Sequence, residues 1–128
     1  MDTVADLLTG LVNAQRVGKE RFAVPYSRYK EQLVNLLRER GVVRAVRAQR
    51  TARPKLVVTL AANKDRAGTA RRVRRVSRPG RRQYVARHAI PWQAGRAGFY
   101  ILSTSQGLMD GETARQRGLG GEIICEVQ

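Results

Sequence analysis

The sequence predicts an α+β fold in two small modules, an amino-terminal αβαββ module (residues 1–63) and a carboxy-terminal, mainly β module with short helices (residues 64–128). Three observations predict it. Two stretches near the amino end place apolar residues at the 3.6-residue spacing of an amphipathic helix, and Val- and Leu-rich runs of strand length follow them. A polar, turn-rich break then runs from Asn63 to Gly68. Beyond it the apolar runs are strand-like and the helical patterns shrink to a few residues.

Val4, Leu7, Leu8, Leu11 and Val12 form one stripe and predict a helix over residues 3–16, with Asp2 and Asp6 near its positive end and Arg16 near its negative end. Gly10 is expected to interrupt this helix, at a cost of about 0.5–1 kcal/mol relative to Ala. Gly18-Lys19-Glu20 turns the chain into a short strand, Arg21 to Tyr26. Ser27 is the expected N-cap of a second helix running to Arg40, with Tyr29, Leu33, Leu36 and Leu37 as its stripe and Gly41 as its stop. Val42 to Gln49 and Leu56 to Ala62 read as two strands joined by the polar loop 50–55. Nothing in this half looks catalytic.

The second half opens on charge. From Lys64 to Arg87 there are ten Arg or Lys residues and one acid, Asp65. Arg71 to Val76 reads as a strand with arginines on both faces, Ser77-Arg78-Pro79-Gly80 as a turn, and Arg81 to Ala86 as the return strand of a basic hairpin. A solvated or disordered run is the competing reading, and the strand-like placement of Val73, Val76, Tyr84 and Val85 speaks against it. His88 to Gly95 reads as one helical turn. Phe99 to Leu102 is dense enough for a strand buried on both faces. It ends in three consecutive hydroxyls, Ser103, Thr104 and Ser105, before Gly107. This polar tip is either a loop capping the next helix or a contact surface for a partner rich in hydroxyls and phosphates. Alternation puts Ser103 and Ser105 on one face, as contacts, and Thr104 on the other, in a partly structural role. A short helix, 110–117, a glycine stop, 118–121, and a final strand, 122–127, complete the chain.

The 128 residues carry a net charge of +15, and only four of the 25 cations are lysines. Such a balance points to nucleic acid. No apolar span or strongly amphipathic basic helix suggests a membrane, and the amino terminus lacks the pattern of a signal peptide. A single cysteine, Cys125, excludes an internal disulfide and a cysteine-based zinc site, fits a reducing cytoplasm, and reads as a small buried hydrophobe. One histidine, His88, excludes a His-based triad or a two-His metal site. The ten acids form no general acid/base couple. The glycines near 118–121 lack the Lys and the strand-to-helix order of a P-loop. No cofactor and no enzymatic activity are expected. A hydrolase using Ser103 or Ser105 has no neighbouring base to activate it.

Gly98 to Met109, followed by Ala114-Arg115 and Gly120-Gly121-Glu122, resembles the carboxy-terminal signature of the small-subunit ribosomal protein S-eight family of bacterial type. Asp2 to Thr9 with Asn13-Ala14 resembles the family's opening helix. Val24-Pro25-Tyr26-Ser27 is similar to its entry into the second helix, and Arg75 to Gly80 with Arg82 and Tyr84 to its mid-chain hairpin. The resemblance covers essentially the whole chain and implies the same two modules. It further implies a monomeric, cytoplasmic constituent of the small ribosomal subunit. Such a protein binds the central domain of the ribosomal RNA as a primary binder, touches neighbouring ribosomal proteins and, as in several relatives, represses its own messenger.

Carried over by motif, the contacts are Ser103, Thr104, Ser105 and Gly107, supported by Pro79, Gly80 and Tyr84. The expected RNA-binding set is completed by Arg74, Arg75, Arg81 and Arg82, with Arg16 and Lys30 on the first module. The chain departs from the family pattern at Gln106, usually Lys, at Thr3, usually Pro, at Gly10, often Arg, and at its last residues, Glu126-Val127-Gln128, usually aromatic-rich. In the expected mechanism arginines neutralise phosphates and the hydroxyl tip reads 2′-OH groups and base edges. The alternative is a sequence-indifferent DNA-packaging protein that needs only the basic hairpin.

Overall fold

The computed structural model describes residues 3–61, 72–91 and 98–128. By its internal contacts the chain forms two units, Met1–Arg72 and Val73–Gln128. The boundary expected at 63/64 lies outside the described residues, as do Arg71 and Trp92.

The first unit is α1 (Thr3–Val17), β1 (Arg21–Pro25), α2 (Arg28–Glu39), β2 (Val43–Gln49) and β3 (Lys55–Leu60). The three strands form an antiparallel sheet in the order β1-β3-β2. On β3 the alternating residues Leu56, Val58 and Leu60 are buried, and they meet Val24 and Val43 of the flanking strands. The same core takes Leu7, Leu8, Leu11 and Ala14 from α1 and Leu33, Val34 and Leu37 from α2, so the helices cover that one face.

Gly10 does not interrupt α1: a Cβ there would lie 2.7 Å from the Phe22 ring, so glycine lets the helix close onto β1. Ser27 is the N-cap of α2, its Oγ accepting the Lys30 amide at 3.1 Å. The buried stripe of α2 is rotated from the expected one. Lys30, Leu33, Val34 and Leu37 are inside, whereas Tyr29 and Leu36 are half-buried, because this face meets both the sheet and α1.

The second unit comprises β4 (Val73–Arg75), β5 (Tyr84–Val85), β6 (Phe99–Thr104), β7 (Gly107–Asp110), α3 (Gly111–Gln116) and β8 (Gly121–Val127). Its sheet runs β4-β8-β6-β7, and β5 also pairs with β8. The basic hairpin expected here does not form as a pair of strands. The two strands lie one after the other along the same edge of β8, Val73 opposite Val127 and Tyr84 opposite Glu122. The reason is visible in the backbone: the Val76 and Ser77 amides donate to Ile124 and Ile123, and the Ile123 amide donates to Gln83. β8 therefore takes the hydrogen bonds that a hairpin would have exchanged within itself. The residues between bulge outward and are closed at their base by buried Ser77, whose Oγ accepts the Gln83 amide at 2.9 Å.

Residues 87 and 88 form a turn, with no helix between residues 86 and 91; the rest of the expected helical turn lies outside the described residues. β7 was not foreseen: Gly107 to Asp110 pairs back onto β6 rather than leading directly into α3. The short helix itself is as expected, capped by the Asp110 carboxylate, which accepts the Thr113 amide at 2.7 Å. One face of the sheet carries a cluster of Leu102, Met109, Ile123, Ala114 of α3 and Ile90.

Candidate nucleic-acid interface

β6 delivers the hydroxyl tip. Ile101 and Leu102 are fully buried on opposite faces, which anchors the strand just before it surfaces. Thr104 pairs with Gly107, leaving Ser105 and Gln106 as a two-residue loop. Thr104 Oγ1 donates to the Gly107 carbonyl at 2.8 Å and accepts the Gln106 amide at 3.1 Å. Both bonds are internal to the turn, so this hydroxyl is committed to structure. Gly107 has φ +107°, a conformation L side chains rarely adopt, which is why the turn ends on glycine. Ser105 is exposed and Ser103 half-buried.

The register aligns four residues in one row across four strands: Tyr84, Glu122, Ser103 and Leu108. Paired residues share a face, so Tyr84 and Ser103 stand on the same side of the sheet, about 10 Å apart at the usual strand spacing. Tyr84 is 73% exposed, an aromatic plane held by an edge strand. The tip is also braced from behind. A Cβ on Gly121 would collide with the Ser103 carbonyl, and one on Gly120 would lie 2.5 Å from the Val85 carbonyl. These glycines let β8 approach β5 and β6 closely enough to bring Tyr84 and Ser103 into register. In the sequence they read as a helix stop and as part of the carboxy-terminal signature, with no sign of this close approach.

The arginines expected to meet phosphate are not equivalent. Arg82 donates to Glu122 at 3.0 Å, and Arg75 Nε to the Ser77 carbonyl at 2.7 Å. Arg74 pairs with Glu126 and faces the same side as Tyr100, opposite to Ser103. Burial pushes the Glu126 carboxyl up, but hydrogen bonds from Arg74, Tyr100 and Gln128 outweigh it and leave the group below its ordinary value. Burial and the bond to Glu126 raise the Tyr100 phenol.

Arg81 and Arg78 are exposed and carry no ion pair or side-chain hydrogen bond among the described residues. They flank Pro79 and Gly80 in a tight turn. The Arg78 and Arg81 backbones bond each other in both directions, and Gly80 adopts φ +77°. The bulge therefore presents two untied guanidinium groups. On the first unit Arg16 is exposed, with a long 3.5 Å bond to Asn13. Lys30 is 2% exposed and its ammonium lies 3.8 Å from Asp6, so it ties α2 to α1 and has no surface to offer a ligand.

The arrangement suits recognition without catalysis. A seryl hydroxyl and an open aromatic ring share one row of the second sheet, the bulge adds untied cations, and the Cys125 thiol is buried and pushed up to about 12 by desolvation. Such a surface suits a polyanionic partner. Comparison with known proteins supplies the family. Residues 2–128 match the model of the family described as Ribosomal protein S8. The chain is 43% identical over 127 residues to the Small ribosomal subunit protein uS8 of Sorangium cellulosum, covering 98% of this chain and 97% of that one. It is 40% identical over 126 residues to the protein of the same name from Hahella chejuensis, with 98% and 96% covered. To that of Thermus thermophilus it is 41% identical over 134 residues, with 98% and 97% covered. The chain belongs to the ribosomal protein S8 family, whose members are structural proteins of the small ribosomal subunit and not enzymes.

Proposed function

We propose that this protein enters the small ribosomal subunit as a primary binder of the central domain of the ribosomal RNA. It acts there as a monomer in the cytoplasm, beside neighbouring ribosomal proteins, and also represses its own messenger through the same surface. The observation that carries the reading is the row that aligns Tyr84 with Ser103 behind the Ser105 tip. An irregular RNA helix offers unstacked bases for Tyr84 and 2′-OH groups for the seryl hydroxyls. Arg78 and Arg81 on the bulge add phosphate contacts that raise affinity without choosing sequence. Gln106 contributes no charge to the tip, so selectivity there rests on hydrogen bonding.

The test is to purify the protein with its bound nucleic acid, sequence what is recovered, and titrate the recovered hairpin against its scrambled form and a DNA duplex of equal length. Recovery of small-subunit RNA, a preference for the hairpin over both competitors, and recovery of the protein's own messenger are the expected results. Equal affinity for the DNA duplex at physiological salt would favour the packaging alternative.

A further inference from the structure

Tyr84 stands on a strand only two residues long, Tyr84–Val85, too short to hold a register by itself. Bonded and unbonded pairs alternate along an antiparallel ladder. The Ile123 amide donates to the Gln83 carbonyl at 2.9 Å, so the next pair, Tyr84 and Glu122, is an unbonded one. Tyr84 is thus held through its neighbours, Gln83 and Val85. On the Gln83 side the acceptor that β8 would offer is already taken. The Ile123 carbonyl accepts the Ser77 amide at 3.1 Å, at the point where β8 passes from one partner strand to the other. The Gln83 amide turns instead to the Ser77 hydroxyl, 2.9 Å away, and the same hydroxyl donates to the Gln83 carbonyl at 3.3 Å. Ser77 is itself fixed: it is 3% exposed, and its carbonyl accepts Arg75 Nε at 2.7 Å.

We propose that Ser77 is a positioning residue for RNA recognition: its hydroxyl stands in for the Ile123 carbonyl and sets the place of Tyr84 in the row it shares with Ser103. The proposal rests on the RNA-binding reading given above. Geometry separates this role from support of the bulge. The Arg78 and Arg81 backbones bond each other in both directions, and Gly80 closes the turn, so the bulge keeps its own shape without the hydroxyl. Tyr84 has no such internal support. Without the hydroxyl the Gln83 amide has no acceptor in the seam, and an unmade bond costs more than a made one contributes. The seam then opens toward water at Gln83, and the ring loses its fixed place beside Ser103. Arg78 and Arg81 act on phosphates in any RNA, whereas the ring and the seryl hydroxyl must meet the hairpin together. Ser77 therefore governs discrimination and leaves phosphate binding as it was.

The experiment compares the full wild-type chain with Ser77→Ala, Tyr84→Leu, the double variant and Ser77→Thr. Each is titrated against the recovered hairpin and its scrambled form. Ser77→Ala should bind the hairpin about tenfold more weakly, with scrambled binding and the salt dependence unchanged. The double variant should bind no more weakly than Tyr84→Leu, because residues that act as a unit are not additive. Ser77→Thr keeps the hydroxyl and should restore discrimination; if its added methyl lowers the melting temperature, the cycle with Tyr84 decides alone. Amide exchange supplies a readout free of RNA. The Gln83 and Val85 amides, on either side of Tyr84, should exchange about tenfold faster in Ser77→Ala. Equal loss on both RNAs, additive losses in the double variant, or a Val85 amide unmoved by Ser77→Ala overturns the proposal and leaves Ser77 a structural residue only. A wild-type chain that fails to tell the hairpin from its scrambled form overturns the proposed function, and faster exchange at both amides would still support the positioning of Tyr84.

Discussion

The two sheets handle positive charge in opposite ways. In the second unit the basic run lies along β8, and β8 carries glutamates in register with it. Glu126 ties Arg74, Glu122 ties Arg82, and Arg75 bonds a nearby carbonyl. The first unit's sheet has no such counterpart among the described residues: Arg21, Arg47 and Lys55 are exposed on one face, with uncharged residues opposite them in register. The denser cluster in the sequence is therefore the more neutralised in the fold. A count of cations identifies the kind of partner, but the acids on the neighbouring strand decide which cations are available to it.

The strongest way to break this comparison is to disturb the backbone approach on which the second sheet depends. Gly121→Val would drive a side chain into the Ser103 carbonyl and the Thr104 backbone, neither of which can move aside. Overpacking typically costs about 1–3 kcal/mol, and a clash with backbone belongs at or above the top of that range. Urea denaturation should show the loss, together with loss of hairpin discrimination. Ala45→Val on that exposed face of the first sheet should move stability by no more than about 0.5 kcal/mol.

Next in size is Glu126→Gln. It removes a carboxylate that accepts hydrogen bonds from Arg74 and Gln128, and hydrogen bonds to a charged group are worth about 1.5–3 kcal/mol. The pH dependence gives an independent check. Because the folded state holds the Glu126 carboxyl below its ordinary 4.5, its contribution is full above that value and is lost as pH falls below it. Melting curves of the wild type should therefore drop more steeply across that acid range than those of the Gln variant.

Ser105→Ala comes third. The hydroxyl is exposed and does not support the turn, whereas Thr104 does. Affinity for the recovered hairpin should fall about tenfold, or about 1.4 kcal/mol. Binding to the scrambled hairpin and the melting temperature should stay as they were. Equal loss on both RNAs would mean that the tip is only a structural cap.

The smallest effects separate tied from untied arginines. Arg78→Gln with Arg81→Gln should flatten the salt dependence of hairpin binding by about 0.7–0.9 log units per charge, the amount expected for one phosphate each. Arg74→Gln should barely change it, since that guanidinium already faces Glu126 on the other side of the sheet. If the slopes for Arg74→Gln and Arg81→Gln were the same, the distinction drawn between tied and untied arginines would fail.

Most of the local structure was legible because its causes are local. The Ser27 cap, the Asp110-initiated helix and the alternation of β3 all follow from residues a few positions apart. The seryl tip and the structural role of Thr104 followed from alternation and turn chemistry. What was not legible depends on partners distant in sequence. A Pro-Gly turn between two strand-like runs reads as a hairpin, and nothing in those residues announces that β8 will bind both runs along one edge. Gly121 shows its purpose only once Ser103 is seen behind it. Lys30 reads as a surface cation until α1 places Asp6 beside it. β7 is four residues long and too brief to register as a pattern of its own.

Cys125 gives the second unit a built-in reporter. The thiol sits in β8, between its pairings with β4 and β6, fully buried and held protonated. The thiolate is the nucleophile that attacks an alkylating reagent, displacing iodide from iodoacetamide, and the reagent needs access to it. Labelling under native conditions therefore requires β8 to separate from its neighbours. The rate at which iodoacetamide modifies the chain becomes a clock for the opening of that sheet, free of any fluorophore or tag. Run with and without RNA, the clock would read how firmly a ligand at the tip holds closed the strand that pairs directly with Tyr84.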